Sequence, residues 1–87
     1  MGKNITMITE SGVTTYYITP KVKIGFDLIK YGKNLGLPPQ QTHKEMKEHG
    51  LNSDEMRDSL KVFLGAKNGA QIFDVNRMPD VYTKYIN

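Results

Sequence analysis

His43 and His49 are the only imidazoles in the chain, and no cysteine accompanies them. Six positions apart, they stand about 240° round a helix, so they cannot grip a metal from one face as an i, i+4 pair could. As a general base, either would need an orienting carboxylate and a nucleophile. The nearby glutamates are better explained by helix capping and solvation, which leaves two surface histidines. The glycine-rich stretch GAKNG (65–69) lacks the lysine followed by serine or threonine that a phosphate loop requires. Without cysteine there is no thiolate nucleophile, disulfide or thiolate metal site. The chain is therefore expected to be no enzyme and to hold no cofactor or metal.

Binding chemistry is better represented. The net charge is +3 and the isoelectric point near 9.2, a balance that suits a polyanion partner. The excess is placed unevenly. Residues 1–38 hold Lys3, Lys21, Lys23, Lys30 and Lys33 against Glu10 and Asp27, while from residue 39 onward seven basic residues face seven acidic ones. Lys21, Lys23, Lys30 and Lys33 form a candidate phosphate-contacting ridge. Tyr16 and Tyr17 add aromatic surface. In an extended segment they point to opposite faces, so that one joins a core while Tyr17 stays outside, either covering an edge of the hairpin or stacking bases beside the lysines.

These residues must be positioned by one small unit. At 87 residues the chain makes a single domain spanning residues 1–87, burying roughly 60–65% of the surface its unfolded form exposes. Apolar residues are 38%, and adding the 8 glycines brings the chain into the usual range. The N-terminal residues lack the apolar run of a secretory signal, and nowhere do about 18 consecutive apolar residues occur, so a cytoplasmic protein without a membrane partner is expected.

ITMITESGVTTYYIT reads as a β-hairpin turning at Ser11–Gly12, with Ile5 opposite Ile18 and Met7 opposite Tyr16 on one face, until Pro20 ends the strand. KVKIGFDLIKYGKNLG is helical. Ile24, Leu28, Tyr31 and Leu35 form one stripe and Val22, Phe26 and Ile29 another. Gly25 and Gly32 lie between the stripes, at a cost of about 1 kcal/mol each that implies a close neighbour. LPPQQ closes this central helix.

THKEMKEHGLNSDEMRDSL (42–60) holds two helix starts ten residues apart. Thr42 with Glu45 has the spacing of a reciprocal capping box, as Asn52 has with Glu55. Gly50 is placed to close the first helix in a left-handed conformation, with Leu51 packed on Met46 and stapled to Met56. Met56, Leu60, Phe63 and Leu64 then form a buried stripe ending at Gly65. Thr42 to Leu64, about a quarter of the chain, resembles the helix-turn-helix of winged-helix and repressor-type DNA-binding domains, with apolar positions at 46, 51, 56 and 60. It differs from them in Met46, where alanine is usual, and in Glu45 and His49, where apolar residues are common. The resemblance implies a recognition helix from Ser53 to Leu64 exposing Ser53, Asp54, Arg57, Asp58 and Lys61, of which Ser53, Arg57 and Lys61 would contact nucleic acid while the aspartates repel phosphate.

AQIFDV follows as a short strand with Phe73 and Val75 on one face, and Pro79–Asp80 opens a C-terminal helix grouping Val81, Tyr82, Tyr85 and Ile86. That apolar tail either completes the core or docks on a second copy as a homodimer. The fold class expected is α+β: an N-terminal β-hairpin, a helix, a helix-turn-helix-like pair, a short strand and a C-terminal helix. The function expected is a small nucleic-acid-binding regulator, reading DNA through the corner or RNA through the basic first half. The alternative is a protein-binding inhibitor or adaptor, of the kind small bacterial or phage genomes encode, that blocks a larger partner such as a host defence or toxin protein.

Overall fold

Ser11 and Gly12 both take positive φ, 51° and 79°, the primed turn that matches the right-handed twist of a two-residue hairpin. The computed structural model, which describes residues 3–85 and side chains through Tyr82, pairs β1 (Ile5–Glu10) with β2 (Val13–Ile18) across that turn. The register is Ile5 to Ile18 and Met7 to Tyr16, as the hydrophobic pattern requires. Thr19 then caps α1 (Pro20–Leu35), its hydroxyl accepting from the Val22 amide at 3.4 Å. Pro20 thus does more than end a strand. It occupies the first helical turn, where its missing N–H costs nothing.

Two further helices, α2 (Pro39–Glu48) and α3 (Ser53–Lys67), precede a third strand, β3 (Gln71–Asp74). β3 runs parallel to β2 and gives the sheet order β1-β2-β3. The architecture is α+β, and no helix among the described residues is long and apolar enough to cross a membrane. The helix expected after Pro79 is instead a 3₁₀ helix, Asp80–Tyr85, and a shorter 3₁₀ turn, Val75–Arg77, precedes the proline. Val75 leaves the strand because the Asp74 carboxylate accepts from the Asn76 amide at 2.8 Å and turns the chain. Of the four apolar residues grouped there by sequence, Val81 is exposed and Tyr82 half-buried. The Tyr85 side chain and Ile86 lie outside the described residues.

The core sits between the sheet and the helices, where Tyr16, Ile18, Val22, Phe26 and Val62 pack together. A second cluster of Ile29, Met46 and Leu51 joins α1 to the α2–α3 corner. Three close approaches set the spacing. A Cβ on Gly25 would strike the Ser59 hydroxyl and lie 2.7 Å from both Ser59 Cβ and Leu51 Cδ2; one on Gly32 would strike the Thr42 hydroxyl; one on Gly65 would strike the Tyr16 ring. The glycine seam of α1 therefore meets the close neighbours that its helix-propensity cost implied. Of the two stripes, Val22, Phe26 and Ile29 are buried, but Tyr31 and Leu35 stand exposed at the end of α1.

Gly25→Ala is expected to lower stability by about 1–3 kcal/mol in urea unfolding, because overpacking against fully buried Ser59 outweighs the roughly 1 kcal/mol gained in helix propensity. Gly32→Ala should lose less, since the new methyl meets a threonine hydroxyl that can turn about χ1. Equal losses would show that the α1–α3 contact is not the tighter seam.

Candidate functional site

The corner between α2 and α3 is built from backbone hydrogen bonds and one leucine. The Leu51 amide donates to the Met46 carbonyl at 3.1 Å and the Gly50 amide to the Lys47 carbonyl at 2.9 Å, with Gly50 at φ 82°. This is the paired closure of a Schellman motif. Leu51 is buried against Met46 and Ile29, with Met56 beside them. Asn52 then starts α3 with a complete reciprocal box. Its side chain accepts from the Glu55 amide at 2.8 Å, and the Glu55 carboxylate accepts from the Asn52 amide at 2.9 Å.

The start of α2 differs from the sequence expectation. Pro39 opens the helix with Pro38 extended before it, so Thr42 is already inside and faces Gly32 instead of capping. Two prolines supply what the cap was invoked for: Pro39 is preorganised for a first turn and has no orphan N–H to satisfy. Glu45 accordingly does not reach back to Thr42; its Oε2 accepts from Gln41 at 3.2 Å. His49 is occupied by the corner itself, its Nδ1 lying 2.9 Å from the Glu45 carbonyl.

α3 is rotated relative to the periodicity reading. Ser59 and Val62 are its fully buried residues, whereas Leu60 and Leu64 are 48% and 51% exposed. The cause is Gly25, since the residue facing a glycine at closest approach must be small, and serine at 59 meets that demand. Its hydroxyl is satisfied internally, donating to the Glu55 carbonyl at 2.7 Å with the Val22 carbonyl at 3.3 Å. Nor does α3 stop at Gly65. It continues to Lys67, and Gly65 serves instead as the close contact with Tyr16.

The candidate nucleic-acid contacts meet different fates. Tyr17 is only 9% exposed. Its ring packs on Phe73 at 6.1 Å between centroids, the Arg77 guanidinium lies 4.7 Å over Phe73, and Tyr82 shares a hollow with Tyr17 and Thr15. The C-terminal segment thus covers the sheet face on which Tyr17 was expected to stack bases. Lys21 turns toward the corner and donates to the His49 carbonyl at 2.8 Å. Lys23 pairs with Asp27 at 2.8 Å. Arg57 lies 3.5 Å from Asp54 and 3.8 Å from Asp58. Asp58 is not an outward residue: its side chain is 17% exposed and accepts from Asn4 at 3.1 Å.

Ser53, Lys30, Lys33 and Lys61 remain exposed, but the structure does not gather them. Gly25 of α1 faces Ser59 of α3. At about 100° per residue, Lys23 and Lys30 lie on the far side of α1 while Arg57 and Lys61 lie on the far side of α3. The two basic sets point away from one another. What the outer face of α3 does bring together is Leu60 and Leu64, with Lys61 and Lys67 beside them. The signal that could have found these leucines was the run of small residues Ser59, Gly65 and Ala66 on the other side of the same helix.

Asn52→Ala is expected to cost about 1 kcal/mol through loss of the reciprocal cap, and amide exchange at Gly50, Leu51 and Glu55 should accelerate with it. Exchange that rises only in the sheet would show the corner to be held by other contacts.

No protein family, curated protein or solved structure matches the chain.

Proposed function

We propose that the chain is a small protein-binding module, an inhibitor or adaptor that engages a larger protein through the outer face of α3. The observation that carries this reading is Leu60 and Leu64, each about half exposed and one turn apart. They stand on a helix whose inner face is fixed by Ser59 and Val62 at zero exposure. Apolar anchors at i and i+4 are how an amphipathic helix enters a groove. A helix already ordered by its own core loses little further entropy on docking. Three of the cations expected to hold phosphate, Lys21 and Lys23 on α1 and Arg57 on α3, are engaged within the chain.

A second reading, nucleic-acid binding, is favoured by the corner itself. The Schellman closure, the buried Leu51 and the Asn52 box leave Ser53, Arg57 and Lys61 outward on a helix of the kind that enters a major groove. In that reading Lys30, Lys33 and Lys61 would supply salt-sensitive affinity to DNA or RNA.

The two readings separate by salt and nuclease. Under the first, a protein stays with the purified chain through nuclease digestion and high salt, and the double variant Leu60→Ala, Leu64→Ala loses it while its unfolding midpoint stays close to that of the parent. Retention of nucleic acid alone, fading as salt rises and untouched by the leucine substitutions, would replace the first reading with the second.

A further inference from the structure

Resting on the protein-docking reading above, we infer that the partner of this face is an acidic amphipathic helix, whose apolar positions pack on Leu60 and Leu64 and whose border carries carboxylates. The C-terminal half of α3, SLKVFLGAK from Ser59 to Lys67, has two charged residues, and both are lysines. Around the helix axis, at about 100° per residue, Lys61 stands about 60° beyond Leu64 and Lys67 about 20° before Leu60. The lysines therefore bracket the leucines.

The carboxylates of α3 all lie in its first two turns and are turned to other uses. Asp54 lies by Arg57, Glu55 completes the cap on Asn52, and Asp58 accepts from Asn4. Lys61 has no ion pair among the described residues. Lys67 is exposed and holds its ammonium 5.8 Å from the Phe63 ring centroid, on the side of the helix next to Leu60. An apolar centre with a rim of one charge sign selects a partner with the opposite rim, through encounter rate and through the penalty on like charge.

The test uses the full chain and three probes of one length. The first is a helical peptide with leucines at i, i+4 and i+7 flanked by glutamates; the second has lysines in place of the glutamates; the third is a DNA duplex. Binding is followed by fluorescence anisotropy, and backbone amide shifts locate the face. The expected result is that the glutamate peptide binds with shifts centred on residues 60–67, at least tenfold tighter than the lysine peptide. Lys61→Glu, Lys67→Glu should weaken it at least fivefold and Leu60→Ala, Leu64→Ala likewise. Equal affinity for the two peptides overturns the acidic partner, as does a duplex that binds the same face more tightly, or sedimentation showing that the leucines already close a dimer of the chain.

Failure of the inference alone is distinguishable from failure of the reading beneath it. A protein retained through Leu60 and Leu64 but indifferent to Lys61→Glu, Lys67→Glu leaves the docking reading standing and removes only the acidic rim. Retention indifferent to the leucines removes both.

Discussion

The helical layer depends on one contact without side-chain spacing: Gly25 of α1 against Ser59 of α3. Two helices normally stand 8–10 Å apart with side chains filling the gap. With a glycine on one side and a serine on the other, no room is left for a further methyl at the contact, and a polar hydroxyl is sealed at zero exposure. Such a group costs about 1–3 kcal/mol if left without a partner. Its two carbonyl neighbours, Glu55 in the same helix and Val22 across the seam, therefore make the contact specific. The rotation of α3 follows. Leu51, lying against the same glycine, is trapped at the bend between α2 and α3, which fixes where α3 begins.

The sheet is constrained in a comparable way through its central strand. α3 meets β2 through Gly65 against the Tyr16 ring, so the strand is held where Ile18, Val22 and Val62 can all reach zero exposure. β3 then has only a short turn in which to come back and can pair with β2 solely in the parallel sense. A three-stranded sheet covered on one face by helices still needs cover on the other. That cover is irregular: Arg77 lies over Phe73 and Phe73 against Tyr17, while Tyr82 shares a hollow with Tyr17. Tyr17, the ring expected to stack bases, is consumed in closing the fold.

Local chemistry was legible in the sequence wherever a few neighbouring residues decide the outcome. The Ser11–Gly12 turn and the hairpin register, Gly50 with Leu51, and the Asn52–Glu55 box all stand as their residues dictate. The need of Gly25 and Gly32 for near neighbours was legible too, but not which neighbours. Thr42 misled because a capping pattern and a Pro39 start predict the same helix with different first residues. Leu60 and Leu64 misled for a deeper reason. Periodicity assigns the inward face to the most apolar residues, yet at a glycine seam the inward face goes to the smallest, and only the tertiary contact between positions 25 and 59 reveals which rule applies.

Charge shows the same gap between composition and surface. An excess of three positive charges acts on a polyanion only where cations converge within a Debye length of about 8–10 Å. In this fold Lys21 is spent on the corner, Lys23 lies by Asp27 and Arg57 by two aspartates. Exposed pairs of that kind are worth little to stability, yet they lower the net field at the surface, and Lys30 and Lys61 face away from each other across the α1–α3 pair. Apolar groups obey a shorter-ranged rule, in which contact alone counts and two leucines one turn apart suffice to make a patch. The rotation of α3 that turns Arg57 and Lys61 to its far side is the same rotation that brings Leu60 and Leu64 to the surface, so a single glycine-to-serine contact sets which side chains the outer face of α3 presents.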